Sequence, residues 1–248
     1  MVTYFKFERW IKMKRSLVLL MALLIALLSG CSFGGNNNPT NDSNNAQNAA
    51  TVAADNENQS DFNEEEIVKN IKVTPHRYTS YSYNYLVLVL KNNSKVDCKL
   101  EVSVDLYDDK GDIVGTEDST IQAFAAGTET LVKFSTKDKF KKFEYQLTAD
   151  KISSYYTAVC KDLKCKVNKA TDKIIVSVTN KGQKTAKYTK ANAIFFKGKK
   201  VVYCNLAYVG DSKNLIKPGK TEKAQITCYE KFDSYKVYLD SYADNNAS

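Results

Sequence analysis

Polar and apolar residues alternate through much of the chain. Cys98, Leu100, Val102, Val104 and Leu106 are interleaved with Lys99, Glu101, Ser103 and Asp105, the period of two that gives a strand one buried face. The same period returns at Ile174, Val176 and Val178, and at Ala224, Ile226 and Cys228. A closing strand is written as Phe143, Tyr145 and Leu147, and again as Tyr235, Val237 and Leu239. Turn chemistry separates these runs: Asn92-Asn93-Ser94, Asp108-Asp109-Lys110-Gly111, Phe196-Lys197-Gly198-Lys199 and Pro218-Gly219. Helix-period apolar patterns are scarce. Short strands at this spacing predict an all-β sandwich.

The pattern occurs twice. Leu86–Asn92 aligns with Ile174–Asn180 at an offset of 88, and Ala126-Gly127-Thr128 with Pro218-Gly219-Lys220 at an offset of 92. The second offset persists through Phe134/Ile226, Phe140/Phe232, Phe143/Tyr235 and Leu147/Leu239. A repeat of that length is domain-sized, which predicts a duplicated domain and not a solenoid. The change of offset is a net insertion of four residues, placed in the Tyr203–Asn214 region of the second copy.

The N-terminal segment has a different logic. Lys12-Met13-Lys14-Arg15 precedes an unbroken apolar run, Leu17 to Leu28, which falls short of the roughly 20 residues that span a bilayer. Charge, a short apolar run and then small residues is the layout of an export signal. Leu28-Ser29-Gly30-Cys31 resembles the lipobox of bacterial lipoproteins, a resemblance that implies cleavage before Cys31 and lipid on its thiol. Two or more acyl chains anchor a protein stably, so the expected location is the extracytoplasmic face of the cell membrane. Met1 and Met13 are both candidate translation starts. The following segment, dominated by Asn, Ala, Ser, Asp and Gly, cannot offset its ordering entropy by apolar burial and reads as a disordered tether.

The run Asp105-Leu106-Tyr107-Asp108-Asp109-Lys110-Gly111-Asp112-Ile113-Val114-Gly115, followed by Gly127 and Phe134, resembles the immunoglobulin-like FxLYD-type domains of Gram-positive lipoproteins. In the second copy Ile194-Phe195-Phe196-Lys197-Gly198-Lys199 replaces that segment. The resemblance implies two tandem immunoglobulin-like β-sandwich domains. The expected organisation is a signal peptide (1–30), lipidated Cys31 with the tether (31–60), and sandwiches over 61–150 and 151–245. The motif is a hairpin signature and speaks for fold more than for chemistry.

Charge changes the picture most. The whole chain carries +8, but the distribution is uneven. Residues 62–150 hold 12 Lys and Arg against 15 Asp and Glu, a net of −3. Residues 151–248 hold 19 Lys, no Arg and 8 acids, a net of +11. Such a field concentrates anions, and lysine without arginine suits diffuse attraction better than bidentate recognition. In a cell envelope the anions are wall polymers or lipid headgroups. Lys197, Lys199, Lys200, Lys213, Lys217 and Lys220, which flank turns and the insertion, are the candidate contacts. Nucleic acid is not an expected partner, since no module for it is present.

Other chemistry is sparse. Asp105, Asp108, Asp109 and Asp112 lack the spacing of a calcium loop and suit a tight turn. Cys98 is in phase with core residues and reads as a buried thiol, while Cys204 and Cys228 are a candidate disulfide; local pairing of Cys160 with Cys165 is a further option. No metal site and no cofactor are expected. His76 is the only histidine, so imidazole-based catalysis has few parts to draw on. The expectation is a non-catalytic binding or spacer module. One rival is an accessory protein that docks an envelope complex through Tyr78, Tyr81, Tyr83 and Tyr85, and a second is a carboxylate-based hydrolase.

Overall fold

Two copies of one strand pattern fold into four stacked sheets. The computed structural model describes residues 62–246, which belong to one compact unit, 56–248. The signal segment, Leu28, Ser29, Gly30, Cys31 and the tether lie outside the described residues. A short helix α1 (Glu64–Lys69) is followed by β1 (Ile71–Ser80), β2 (Tyr83–Asn92), β3 (Cys98–Tyr107), β4 (Ile113–Phe124), β5 (Glu129–Thr136) and β6 (Lys142–Asp150). The second copy contains β7 (Tyr156–Ala158), a 3-10 turn (Cys160–Asp162), β8 (Leu163–Lys169), β9 (Lys173–Asn180) and β10 (Ala186–Lys197). It continues with β11 (Lys200–Val209), β12 (Leu215–Ile216), β13 (Thr221–Thr227) and β14 (Ser234–Asp244).

The pairing repeats as the sequence does. In the first copy the sheets are β1-β2-β5 and β4-β3-β6; in the second they are β8-β9-β13 and β11-β10-β14-β7, with β12 also on β10. All these pairs are antiparallel. Thus β8 corresponds to β1, β9 to β2, β10 to β3, β11 to β4, β13 to β5 and β14 to β6. Each copy closes on its own core. Leu86, Leu88 and Leu90 of β2 meet Leu100, Val102, Val104 and Leu106 of β3 in one. Ile174, Val176 and Val178 of β9 meet Ala191, Ala193 and Phe195 of β10 in the other. The chain is an all-β sandwich protein.

The two sandwiches also share an apolar seam. Tyr78, Val87, Val89 and Leu131, on the far face of β1-β2-β5, pack with Ile194, Val201, Cys204 and Tyr238 of the β11-β10-β14 sheet. Val87 and Ile194 are fully buried there. This explains the unbroken LVLVL run of β2: odd and even residues serve different cores, as in strands covered on both faces. Lys161 adds an ion pair to Asp97 across the copies, at 3.5 Å. The layers therefore run β4-β3-β6, β1-β2-β5, β11-β10-β14-β7, β8-β9-β13.

The helix α1 lies outside the strand pattern. Its signal is short: the Asn63 side chain accepts from the Glu66 amide at 3.1 Å, and three glutamates occupy the first turn, where the helix dipole favours anions. Ile67 anchors it in the first core. Among the described residues no helix is long and apolar enough to cross a membrane.

Candidate functional site

The lysines expected to act together are divided. Lys197 ends β10 and Lys199 and Lys200 form and leave the β10–β11 hairpin, whose Gly198 has φ +60°. Lys213, Lys217 and Lys220 lie at the other end of the sheet, because β12 pairs with Ala186 and Lys187 at the start of β10. The twelve-residue β10 separates the groups: its eleven steps at ~3.3 Å each place its ends about 36 Å apart. All six lysines are exposed, but the expected single cluster is two clusters. The insertion that suggested one surface runs along β11 and returns the chain to the opposite end.

Local structure fixes each end. The Asp211 carboxylate accepts from the amides of Lys213 (2.8 Å) and Leu215 (3.1 Å), and Asn214 takes φ +58° to close the turn. Those two amides, with Lys217 and Lys213 nearby, hold the Asp211 carboxyl below its ordinary range. Lys217-Pro218-Gly219-Lys220 is a tight turn with Gly219 at φ +73°, a conformation suited to glycine. At the hairpin end the Gly198 amide donates to Asp233 at 2.8 Å, which lowers the Asp233 carboxyl in the same way.

A third basic surface lies on strands and not on loops. In β8 and β13 the residues facing away from the core include Lys164, Lys166 and Lys223, and in β9 Lys173. Register sets Lys166 and Lys223 on either side of Ser177, and Lys164 and Thr221 on either side of Thr179. The Thr179 and Thr221 hydroxyls are 2.7 Å apart. Asn168, Ile175, Gln225 and Thr227 complete this outer face, and none of its residues is acidic. Its signal was present in the sequence as Lys164 and Lys166 at the strand period, opposite in phase to Leu163 and Val167.

The outer face at the other side of the stack is its electrostatic opposite. Glu101, Asp105, Asp118, Glu144 and Asp150 share the β4-β3-β6 face with Lys99 and Lys142. Lys99 bridges Glu101 (2.5 Å) and Asp150 (3.6 Å), and Lys142 reaches Glu144 at 2.8 Å. Asp108 makes the acidic turn: its carboxylate accepts from the Lys110 and Asp112 amides, both at 2.9 Å. Gly111, at φ +92°, completes that turn. Among the described residues no group of three or more His, Cys, Asp or Glu is arranged to hold a metal.

Cysteine chemistry is quiet. Cys98, Cys160, Cys165, Cys204 and Cys228 are all free. The expected Cys204–Cys228 pair does not form, because the two side chains leave their strands toward different clusters. Cys204 enters the seam between the sandwiches and Cys228 the second core. Burial pushes the Cys98 thiol up to about 11 and the Cys160 and Cys204 thiols up to about 12.

Tyrosines gather where the sandwiches meet. Tyr78 and Tyr85 stack with ring centres 4.5 Å apart, Tyr83 lies 6.3 Å from Tyr85, and Tyr203 lies 6.2 Å from Tyr78 and 5.7 Å from Tyr229. The Lys133 and Lys137 amines sit over Tyr85 and Tyr83 at 5.6 and 5.9 Å. Tyr78 is buried and donates to the Cys204 carbonyl at 3.4 Å, so it belongs to the seam. Tyr81, in contrast, is 82% exposed at the tip of the β1–β2 hairpin, with φ +52°. That backbone costs a side chain about 1–2 kcal/mol relative to glycine.

No family model matches the chain. No curated protein matches it. Among solved structures, a red sea bream transglutaminase is similar over 69% of this chain and 29% of its own, at 9% identity and a TM-score of 0.24. This chain thus spans under a third of that protein's length. The sandwich architecture rests on the strand pairing and the paired cores.

Proposed function

We propose that the chain is a lipid-anchored lipoprotein of the extracytoplasmic membrane face, and that its folded part is a non-catalytic module binding anionic envelope polymers. The anchor rests on the sequence: the basic segment, the short apolar run and Leu28-Ser29-Gly30-Cys31. The binding surface rests on one observation, the acid-free outer face of β8-β9-β13 with Lys164, Lys166, Lys173 and Lys223. A flat face of that sign attracts a polyanion along its length, and neighbouring serine and threonine hydroxyls offer hydrogen bonds to anionic oxygens. Lysines at both ends extend the basic strip beyond the sheet. Placing binding on the half remote from the acidic face gives the module a direction.

The test uses the intact unit 56–248, since either half alone would bare the seam. Binding to purified anionic wall polymer and to phosphatidylglycerol vesicles is followed across a salt series. The expected result is polymer binding that weakens steeply with salt and drops about tenfold or more in a Lys164→Ala/Lys166→Ala/Lys223→Ala variant. Equal binding by that variant would sink the proposal, and preference for vesicles would move the partner to lipid. Labelling with a radioactive fatty acid in cells, lost in Cys31→Ser, tests the anchor.

A further inference from the structure

The tyrosine cluster at the junction of the sandwiches is not used by the lysine face, and Tyr81 holds an unfavourable backbone there while remaining exposed. Tyr229, 65% exposed, follows β13 by two residues, and β13 is an edge strand of the lysine-bearing sheet. Tyr203 belongs to β11, an edge strand of the neighbouring sheet. Next along this side is β1, the edge strand of the third sheet, whose hairpin presents Tyr81 and Tyr83. The edges β13, β11 and β1 are packed side by side, and the ring contacts Tyr229–Tyr203–Tyr78 run across them, so the tyrosines border the lysine-bearing sheet.

We infer that this edge is a subsite for sugar rings and that the module's ligand is an anionic glycan. The inference rests on the polymer-binding proposal and specifies its ligand. A phenol ring offers a flat apolar face to the C–H side of a pyranose and keeps a hydroxyl for its oxygens. Leucine or phenylalanine would serve a dry protein contact as well; here the exposed side chains are tyrosines. Lys133 and Lys137, seated over the rings, put positive charge beside them. Sugars stack at the edge, while phosphates or sulfates along the same chain meet the lysines. The cluster draws residues from both sandwiches, so the seam must be closed for the site to exist.

The experiment compares three polymers on the unit 56–248: dextran sulfate, inorganic polyphosphate of matched charge, and neutral dextran. Dextran sulfate is expected to bind about tenfold more tightly than polyphosphate. A Tyr81→Gly/Tyr229→Ala variant is expected to lose that preference while keeping polyphosphate affinity and its salt slope. Both positions are exposed, and glycine suits the backbone at 81, so unchanged thermal unfolding checks the fold. The only tryptophan is Trp10, outside this unit, so the unit's emission comes from tyrosines, and a change that appears with dextran sulfate, not with polyphosphate, and is reduced in the variant is expected. Equal affinity for the two polyanions, or a preference that survives in the variant, overturns the glycan subsite and leaves the lysine face standing. Failure of both polyanions to bind overturns both.

Discussion

Asn92 and Asn180 occupy the same place in the two sandwiches and make the same hydrogen bonds. Each ends the second strand of its copy fully buried. The Asn92 amide donates to the carbonyls of Val96 (3.0 Å) and Phe124 (3.3 Å), and the Asn180 amide to those of Lys184 and Ile216, both at 2.8 Å. Each side-chain oxygen accepts an amide two residues on, from Ser94 or Gly182. Their backbone carbonyls accept from Gly127 and Gly219, the left-handed glycines of the two matching turns. One buried side chain thus ties the strand end, the next loop and the opposite turn together, once per copy.

Removing that tie is expected to be severe. Asn180→Ala leaves the buried Ile216 carbonyl without this donor and the part-buried Lys184 carbonyl to water; an orphaned buried acceptor costs about 1–3 kcal/mol, so a loss of roughly 2 kcal/mol in urea unfolding is expected. Asn92→Ala should act similarly in the first copy. Asn180→Asp keeps the shape but cannot donate to either carbonyl, and it should be no milder. A change below about 0.5 kcal/mol in either copy, the range of an ordinary surface substitution, would show that the network does not bear on stability.

The internal repeat pairs Asn92 with Asn180 at an offset of 88, but nothing in the strand pattern gives either a role. Period-two runs identified the core strands because Leu100 to Leu106 and Ile174 to Val178 each have one wet face. The seam was harder to see. Val87 and Val89 look like further core residues of β2, and only the pairing of whole sheets reveals that they face a different partner. The loop lysines lie near turn residues in sequence, but β10 carries the two groups to opposite ends of the sheet. The lysine face was legible as strand phase, but its freedom from acids depends on which strands pair. Asn63 and Glu66, a capping pattern before a six-residue helix, were too brief to stand out.

The seam makes a prediction about cooperativity. A chain of independent sandwiches would unfold in separate steps, and each half would be soluble alone. Here residues 62–150 in isolation would expose Val87, Val89 and Leu131, and residues 151–246 would expose Ile194 and Val201. Val87→Asp is expected to cost about 3 kcal/mol or more, as an unpaired buried charge does, and to raise dye binding by exposed apolar surface. Calorimetry of the unit should show one dominant transition. Two well-separated transitions unaffected by Val87→Asp would contradict a shared core.

His76 gives the fold a pH signature. Its ring meets Phe196 of the other copy edge-on, with centres 6.0 Å apart. Burial first, and Lys236 second, lower its pKa below the ordinary 6.5. The unfolded chain therefore takes up this proton more readily than the folded one. The stability due to the neutral ring is complete above pH 6.5 and is lost as pH falls through that value toward the folded pKa. His76→Gln should flatten this part of the profile in denaturation midpoints measured from pH 7.5 to 5. An unchanged slope in the variant would assign the dependence elsewhere.

Thiol reactivity separates the cysteines by position. The thiolate is the nucleophile, and burial both blocks access and suppresses ionisation. Cys98, Cys160 and Cys204, with pKa values raised to about 11, 12 and 12, should resist iodoacetamide at pH 8 in the folded protein. Cys165 is exposed on β8, and although burial also raises its thiol, it should be alkylated first. Cys228, buried in the second core and close to the Glu230 carbonyl at 3.2 Å, should follow Cys165. Peptide mapping after a timed reaction distinguishes the sites, and denaturation should release the three slow ones together. Rapid labelling of Cys204 in the folded unit would mean that the two sandwiches part in solution, because its side chain lies within their seam.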